Sequence, residues 1–134
     1  MKLNATDNSR KSINPVFYLY SFLIVSIMVI AYNGLIPDVL SRIPLYDKIG
    51  HFFLVGFSSY LLNIFLKRHQ IKFKSFHILT APLLVLGFFT IEEFIQQLSP
   101  VRSFDLMDLF CDFAGVYFFY LIDKKFPNIS SKYN

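Results

Sequence analysis

Between Pro15 and Ile36 the chain carries no charged residue. That length is close to the ~20 residues an α-helix needs to cross the hydrocarbon core of a bilayer. Arg10 and Lys11 precede it. The apolar run is longer than the ~7–15 residues of a signal-peptide core, and no small-x-small cleavage site follows, so a retained helix is expected. Three further apolar stretches run over 49–66, 76–98 and 104–122. The second is interrupted by His51, Ser58, Ser59 and Asn63. The third is apolar until Glu92 and Glu93, and the fourth carries Asp105, Asp108 and Asp112 in its first half.

The segments between these stretches, 37–48, 67–75 and 99–103, are short. Short connections make neighbouring helices antiparallel. The expected fold is an all-α membrane protein, a four-helix transmembrane up-down bundle. A cytoplasmic arm over 1–14, a transmembrane domain over 15–123 and a cytoplasmic tail over 124–134 complete the expected organisation, with mobile ends. The 134 residues allow one domain. The hydrophobic fraction of 54% and the 17 Phe exceed what a soluble domain of this size needs for its core. Pro82 is expected to bend the third helix by removing a backbone hydrogen bond. Tyr18, Tyr46 and Tyr120 fit an interfacial aromatic belt.

The distribution of charge sets the orientation. The N-terminal arm, the 67–75 connection and the tail hold ten Lys and Arg, and the other side holds Arg42, Lys48 and Arg102. Basic residues stay cytoplasmic. Both termini are therefore expected inside the cell membrane, with the connections 37–48 and 99–103 outside. The acids fall the other way, and only Asp7 and Asp123 lie on the inner side. Lys67, Arg68, Lys72 and Lys74, with His69 and His77, read as an anchor against anionic lipid.

The acids on the outer side suggest a site. Asp47 and His51 are four residues apart and share a helix face, and Asp47 also suits an N-cap. Glu93 and Gln96 are three apart near the outer end of the third stretch. Two adjacent carboxylates, Glu92 and Glu93, are not expected to face one site. Asp105, Asp108 and Asp112 follow an i, i+3, i+7 stripe, with Ser103 as the expected cap and Asp105 in the first turn. At ~1.5 Å per residue Asp112 lies roughly 12 Å below the helix start. A carboxylate at the bilayer centre costs of order 2.5–3.5 kcal/mol, so Asp108 and Asp112 are expected to face the interior. Gly115, on the same stripe, would let a neighbouring helix approach closely. Catalytic candidates are His51, Glu93 and Asp108. Ligand-binding candidates are Asp47, Lys48, Gln96, Arg102 and Asp112. A hard cation on His51 and carboxylates is the lesser reading, because no strong ligand spacing is present. No metal and no cofactor are expected.

Asp47-Lys48-x-x-His51, then Glu93-x-x-Gln96-x-x-x-Pro100-x-Arg102, then Asp108-x-x-x-Asp112-x-x-Gly115 resemble the signature of the VanZ-like family. That family is named for a protein associated with low-level teicoplanin resistance. The resemblance spans 47–115 and implies a small helical membrane domain with a conserved polar cluster. The family usually has Asn where this chain has Asp112, so a hydrogen-bond donor role is not carried over to that position.

Three functions compete. A binding or resistance-type protein would hold a lipid head group or cell-wall precursor in the outer pocket, with membrane lipids as partners. An outer-leaflet hydrolase or transferase would hold an anion with Arg102 and Lys48 and move protons with Glu93, Asp108 or His51. An ion-coupled transporter ranks last, because the first stretch has no charge and no acid is expected in the inner half of any helix. The single Cys111 excludes a disulfide framework and reads as a packing residue. No phosphate-binding Gly-rich loop and no nucleic-acid signature is present, so no nucleic acid is expected as a partner.

Overall fold

A computed structural model describes residues 5–126, with side chains from Pro15 onward. The first four residues and 127–134, which belong to the expected arm and tail, lie outside the described residues. The backbone is helical from α1 (Ala5–Tyr32), so the helix begins well before Pro15. It is followed by a short α2 (Asp38–Ser41), α3 (Tyr46–Phe65), strands β1 (Gln70–Phe73) and β2 (Phe76–Leu79), α4 (Thr80–Gln96) and α5 (Leu106–Lys125). The described chain is mostly helical.

The four apolar stretches correspond to α1, α3, α4 and α5, with one correction. The third begins as a strand. Residues 70–73 and 76–78 alternate apolar and polar side chains on either side of Lys74-Ser75, a period of two that suits an extended chain. β1 and β2 pair antiparallel, with Ile71 opposite Ile78 and Phe73 opposite Phe76. Lys74 takes a left-handed turn conformation at φ 50°. The Thr80 amide donates to the His69 carbonyl and closes the base of the hairpin.

Pro82 therefore falls in the first turn of α4, where an amide has no intrahelical acceptor. It costs no hydrogen bond there, and the expected bend has no cause. Two capping expectations also change. Leu45 precedes α3 in a left-handed conformation without a side-chain cap, which places Asp47 inside the first turn. Asp105, not Ser103, caps α5, its Oδ1 accepting from the Met107 amide at 2.8 Å.

The helices pack around α3. Phe17 of α1 stacks on Phe65, the Tyr20 hydroxyl donates to the Leu54 carbonyl, and Tyr32 reaches Glu92. The first two pairs make α1 run opposite to α3, and the third joins it to α4. Lys48 meets Asp108, His51 meets Asp112 and Asn63 meets Asp123, so α3 and α5 run parallel. Their crossing is close because both surfaces carry glycine. A Cβ on Gly115 would fall within the Phe52 carbonyl, and one on Gly56 would lie 2.6 Å from the Gly115 oxygen. The expected close approach at Gly115 is met.

Burial is inverted relative to a protein folded in water. Phe22, Phe94 and Phe110 are 71%, 56% and 66% exposed, whereas Glu93 and Asp112 are both 0% exposed. A small apolar core of Val55, Val85, Phe89 and Val116 lies at mid-height. Among the described residues, one helix is long and apolar enough to cross a membrane, through the window Pro15–Tyr32.

Candidate functional site

The polar side chains at one end of the α3–α4–α5 core form a connected network. Helix α3 contributes Asp47, Lys48 and His51 from its first two turns. Lys48 reaches across to α5 and donates from Nζ to Asp105 Oδ2 at 2.6 Å and to Asp108 Oδ1 at 2.9 Å. One turn further, His51 Nδ1 lies 2.9 Å from Asp112 Oδ1, while Nε2 is 3.9 Å from Asp108 Oδ2. The parallel course of α3 and α5 aligns these pairs, since residues three and four apart stack on one face.

Helix α4 supplies the third wall. Its last turn places Gln96 between two carboxylates, donating from Nε2 to Glu92 Oε2 at 2.9 Å and to Glu93 Oε2 at 3.1 Å. The expectation that adjacent Glu92 and Glu93 could not serve one site is thereby corrected. They leave the helix in different directions, and Gln96, three and four residues on, bridges the gap. Glu92 also accepts from the Tyr32 hydroxyl at 2.9 Å. Glu93 accepts from the Asp105 amide at 2.7 Å, tying α4 to the cap of α5. Arg102, in the connection, donates from Nε to Gln96 Oε1 at 3.2 Å and lies 3.6 Å from Asp47.

All eight candidate residues are thus linked: His51, Glu93, Asp108, Asp47, Lys48, Gln96, Arg102 and Asp112. Tyr32, Glu92 and Asp105 join them. Tyr32 had no sequence signal beyond a polar atom at the end of an apolar run. Six carboxylates face two permanent cations across this network. Lys48 is pushed up by its hydrogen bonds to Asp105 and Asp108. Nearby opposite charges stabilise each ionised form.

Asp47, His51 and Asp108 offer donor atoms within 4.8 Å of one another, the set in the described residues that a metal ion would use. Asp108 is already engaged by Lys48 and Asp47 by Arg102, so internal cations neutralise those carboxylates.

A cavity of about 90 Å³ opens between α1 and this network. Tyr32, Asp47, His51, Glu92, Gln96 and Arg102 form its polar side, and Ile24 and Met28 of α1 its apolar side.

A second polar cluster occupies the opposite end of the α3–α5 pair. Asp123, 8% exposed, accepts from Asn63 Nδ2 at 3.1 Å and from Arg68 at 2.9 Å. Asp123 therefore belongs to α5 and is buried, which corrects the expectation that no acid lies in the inner half of a helix. Its partners come from α3 and the turn after it, so spacing along the fourth stretch could not signal it.

The family model described as VanZ/LLP1 matches residues 3–126. The chain belongs to the VanZ/LLP1 family. The match covers both polar clusters as well as the 47–115 span that carries the signature. No curated protein and no solved structure matches the chain. In this VanZ/LLP1 chain, the three signature segments correspond to the start of α3, the end of α4 with its following connection, and the first half of α5. The motif spacing follows from the three walls these segments build.

Proposed function

We propose that this VanZ/LLP1 protein is a multi-pass membrane protein with both termini in the cytoplasm. In this reading its extracytoplasmic polar pocket binds a cell-envelope ligand, either a lipid head group or a cell-wall precursor. The cavity between α1 and the polar network carries the reading. It is partly lined by charged and amide side chains that hold one another in place, which presents a preorganised polar surface beside an apolar wall. The multi-pass arrangement is supported by the inverted burial, because exposed Phe and submerged carboxylates suit a solvent of lipid. The charge asymmetry supports the orientation.

The test is lipid and cell-wall-precursor profiling of a deletion strain, complemented with the wild type or with Asp108→Ala at equal membrane level. The expected result is a changed profile restored by the wild type alone. An unchanged profile, or full restoration by the variant, would remove this reading.

A second reading, an outer-leaflet hydrolase or transferase, is favoured by the His51–Asp112 pair. A carboxylate on Nδ1 orients the imidazole and leaves Nε2 to move a proton. Complete loss of turnover in a folded His51→Ala protein, against graded weakening in a binder, separates the two.

A further inference from the structure

The β1–β2 hairpin differs in polarity between its two faces. Ile71 pairs with Ile78 and Phe73 with Phe76, and residues two apart in a strand share a face. These four side chains therefore form one apolar face, and Gln70, Lys72, His77 and Leu79 form the other. Gln70, His77 and Leu79 line a cavity of about 460 Å³ beside α4 and α5, so the second face is turned to the helices. Of the apolar face only Ile78 reaches that cavity. Ile71, Phe73, Phe76 and Ile78 are 42%, 60%, 70% and 44% exposed, so this face covers no core.

The surroundings of the apolar face are basic. Lys67, Lys72 and Lys74 are exposed, as are Lys124 and Lys125 in the last turn of α5. The Asn63–Asp123 contact brings that turn to the same end of the molecule. Among the described residues none of these five lysines pairs with a carboxylate. Of the other basic residues that the sequence assigns to a lipid anchor, Arg68 is held by Asp123, and His69 Nδ1 lies 2.7 Å from Thr80 Oγ1. Lys74 Nζ lies 5.9 Å from the centre of the Phe73 ring, which sets a charge beside the apolar face at the tip of the hairpin.

The backbone fixes the depth. Among the described residues β1 and β2 pair only with each other, so each strand has an edge with unpaired amides and carbonyls. Such edges are not tolerated in hydrocarbon, whereas a contiguous apolar face is unsuited to water. The head-group layer satisfies both. We infer that the hairpin is a membrane-surface anchor, its apolar face in the interfacial layer of the anionic cytoplasmic leaflet and its lysines on the lipid phosphates. This inference rests on the multi-pass reading and its orientation, and is independent of the outer pocket.

The chain has no Trp, so Phe73→Trp supplies a single fluorescent reporter. The full chain is reconstituted in phosphatidylcholine vesicles with and without phosphatidylglycerol, and quenched with brominated lipid or with aqueous iodide. The expected result is blue-shifted emission, quenching by lipid brominated near the head group and protection from iodide, all stronger with phosphatidylglycerol. Lys72→Gln and Lys74→Gln should weaken this docking about fivefold for each charge removed. Circular dichroism and gel filtration select folded variants. Phe110→Trp, on the exposed face of α5, reports the membrane reading itself and should be quenched by deep-brominated lipid in both vesicles. A solvated Phe110→Trp would overturn that reading and the anchor with it. A lipid-quenched Phe110→Trp beside a Phe73→Trp open to iodide would overturn the anchor alone. Quenching of Phe73→Trp that ignores both phosphatidylglycerol and the lysine changes would overturn recognition of anionic lipid. A blue shift that appears only at high protein-to-lipid ratio would overturn it in favour of a second copy of the chain.

Discussion

His51 and Asp112 meet across the α3–α5 interface, Nδ1 2.9 Å from Oδ1, with Asp112 sealed from solvent. The second oxygen of Asp112 has no hydrogen-bond partner among the described residues. Asn at this position keeps an acceptor for His51 and removes the uncompensated oxygen charge. Asp112→Asn should therefore unfold at or above the wild-type temperature in detergent. Asp112→Leu strands the imidazole nitrogen and should cost about 1–3 kcal/mol. Thermal unfolding of the two variants side by side checks the order.

The glycines of this VanZ/LLP1 protein should separate sharply. Gly115→Ala drives a methyl into the Phe52 carbonyl, and overpacking of this kind costs about 1–3 kcal/mol or more. Gly87 sits in α4 with nothing within 4 Å of an added Cβ. Gly87→Ala should raise stability by roughly 0.5–1 kcal/mol, because alanine restricts the unfolded chain and favours the helix. Melting curves and the monodisperse fraction after purification give the comparison.

Asp123 joins the end of α3 to the end of α5 through Asn63 and Arg68. Removing it leaves Arg68 without its ion-pair partner. Asp123→Ala and Arg68→Ala should each destabilise, and the double variant should lose less than the sum. A coupling of about 0.5–3 kcal/mol is the expected range for residues in direct contact. A double-mutant cycle on thermal unfolding measures it, and additivity would show that the pair is not coupled.

The pH response of this network follows from Lys48. The folded Lys48 titrates above its usual 10.5, raised by its hydrogen bonds to Asp105 and Asp108. Its contribution is complete below 10.5 and is lost as pH rises through the raised value. The unfolding temperature of Lys48→Met relative to wild type should thus differ more below about pH 10 than above it, and the gap should narrow as pH rises further.

Much of the site was legible before any fold was known. The i, i+3, i+7 stripe of Asp105, Asp108 and Asp112 marked one face of a helix, and the depth of Asp112 in an apolar run required that face to point inward. The same reasoning did not find the hairpin. Residues 76–79 look like the start of an apolar helix when joined to the apolar run of α4. They look like a strand only when paired with 70–73, and pairing is a relation between segments. Nor did it find Tyr32–Glu92 or Arg68–Asp123, whose partners are 60 and 55 residues apart.

Sequence alone determined that Asp108 and Asp112 must be buried and how they are spaced on their helix, because a carboxylate deep in an apolar run has a large solvation cost and the helical repeat is fixed. Tertiary structure decided what each of them meets. The parallel α3–α5 contact, made close by Gly56 and Gly115, sets Lys48 against Asp108 and His51 against Asp112. The turn of α4 brings Glu92 and Glu93 to one Gln96. These outcomes depend on how helix surfaces fit and slide against each other, and a period along one chain carries no information about the register between two.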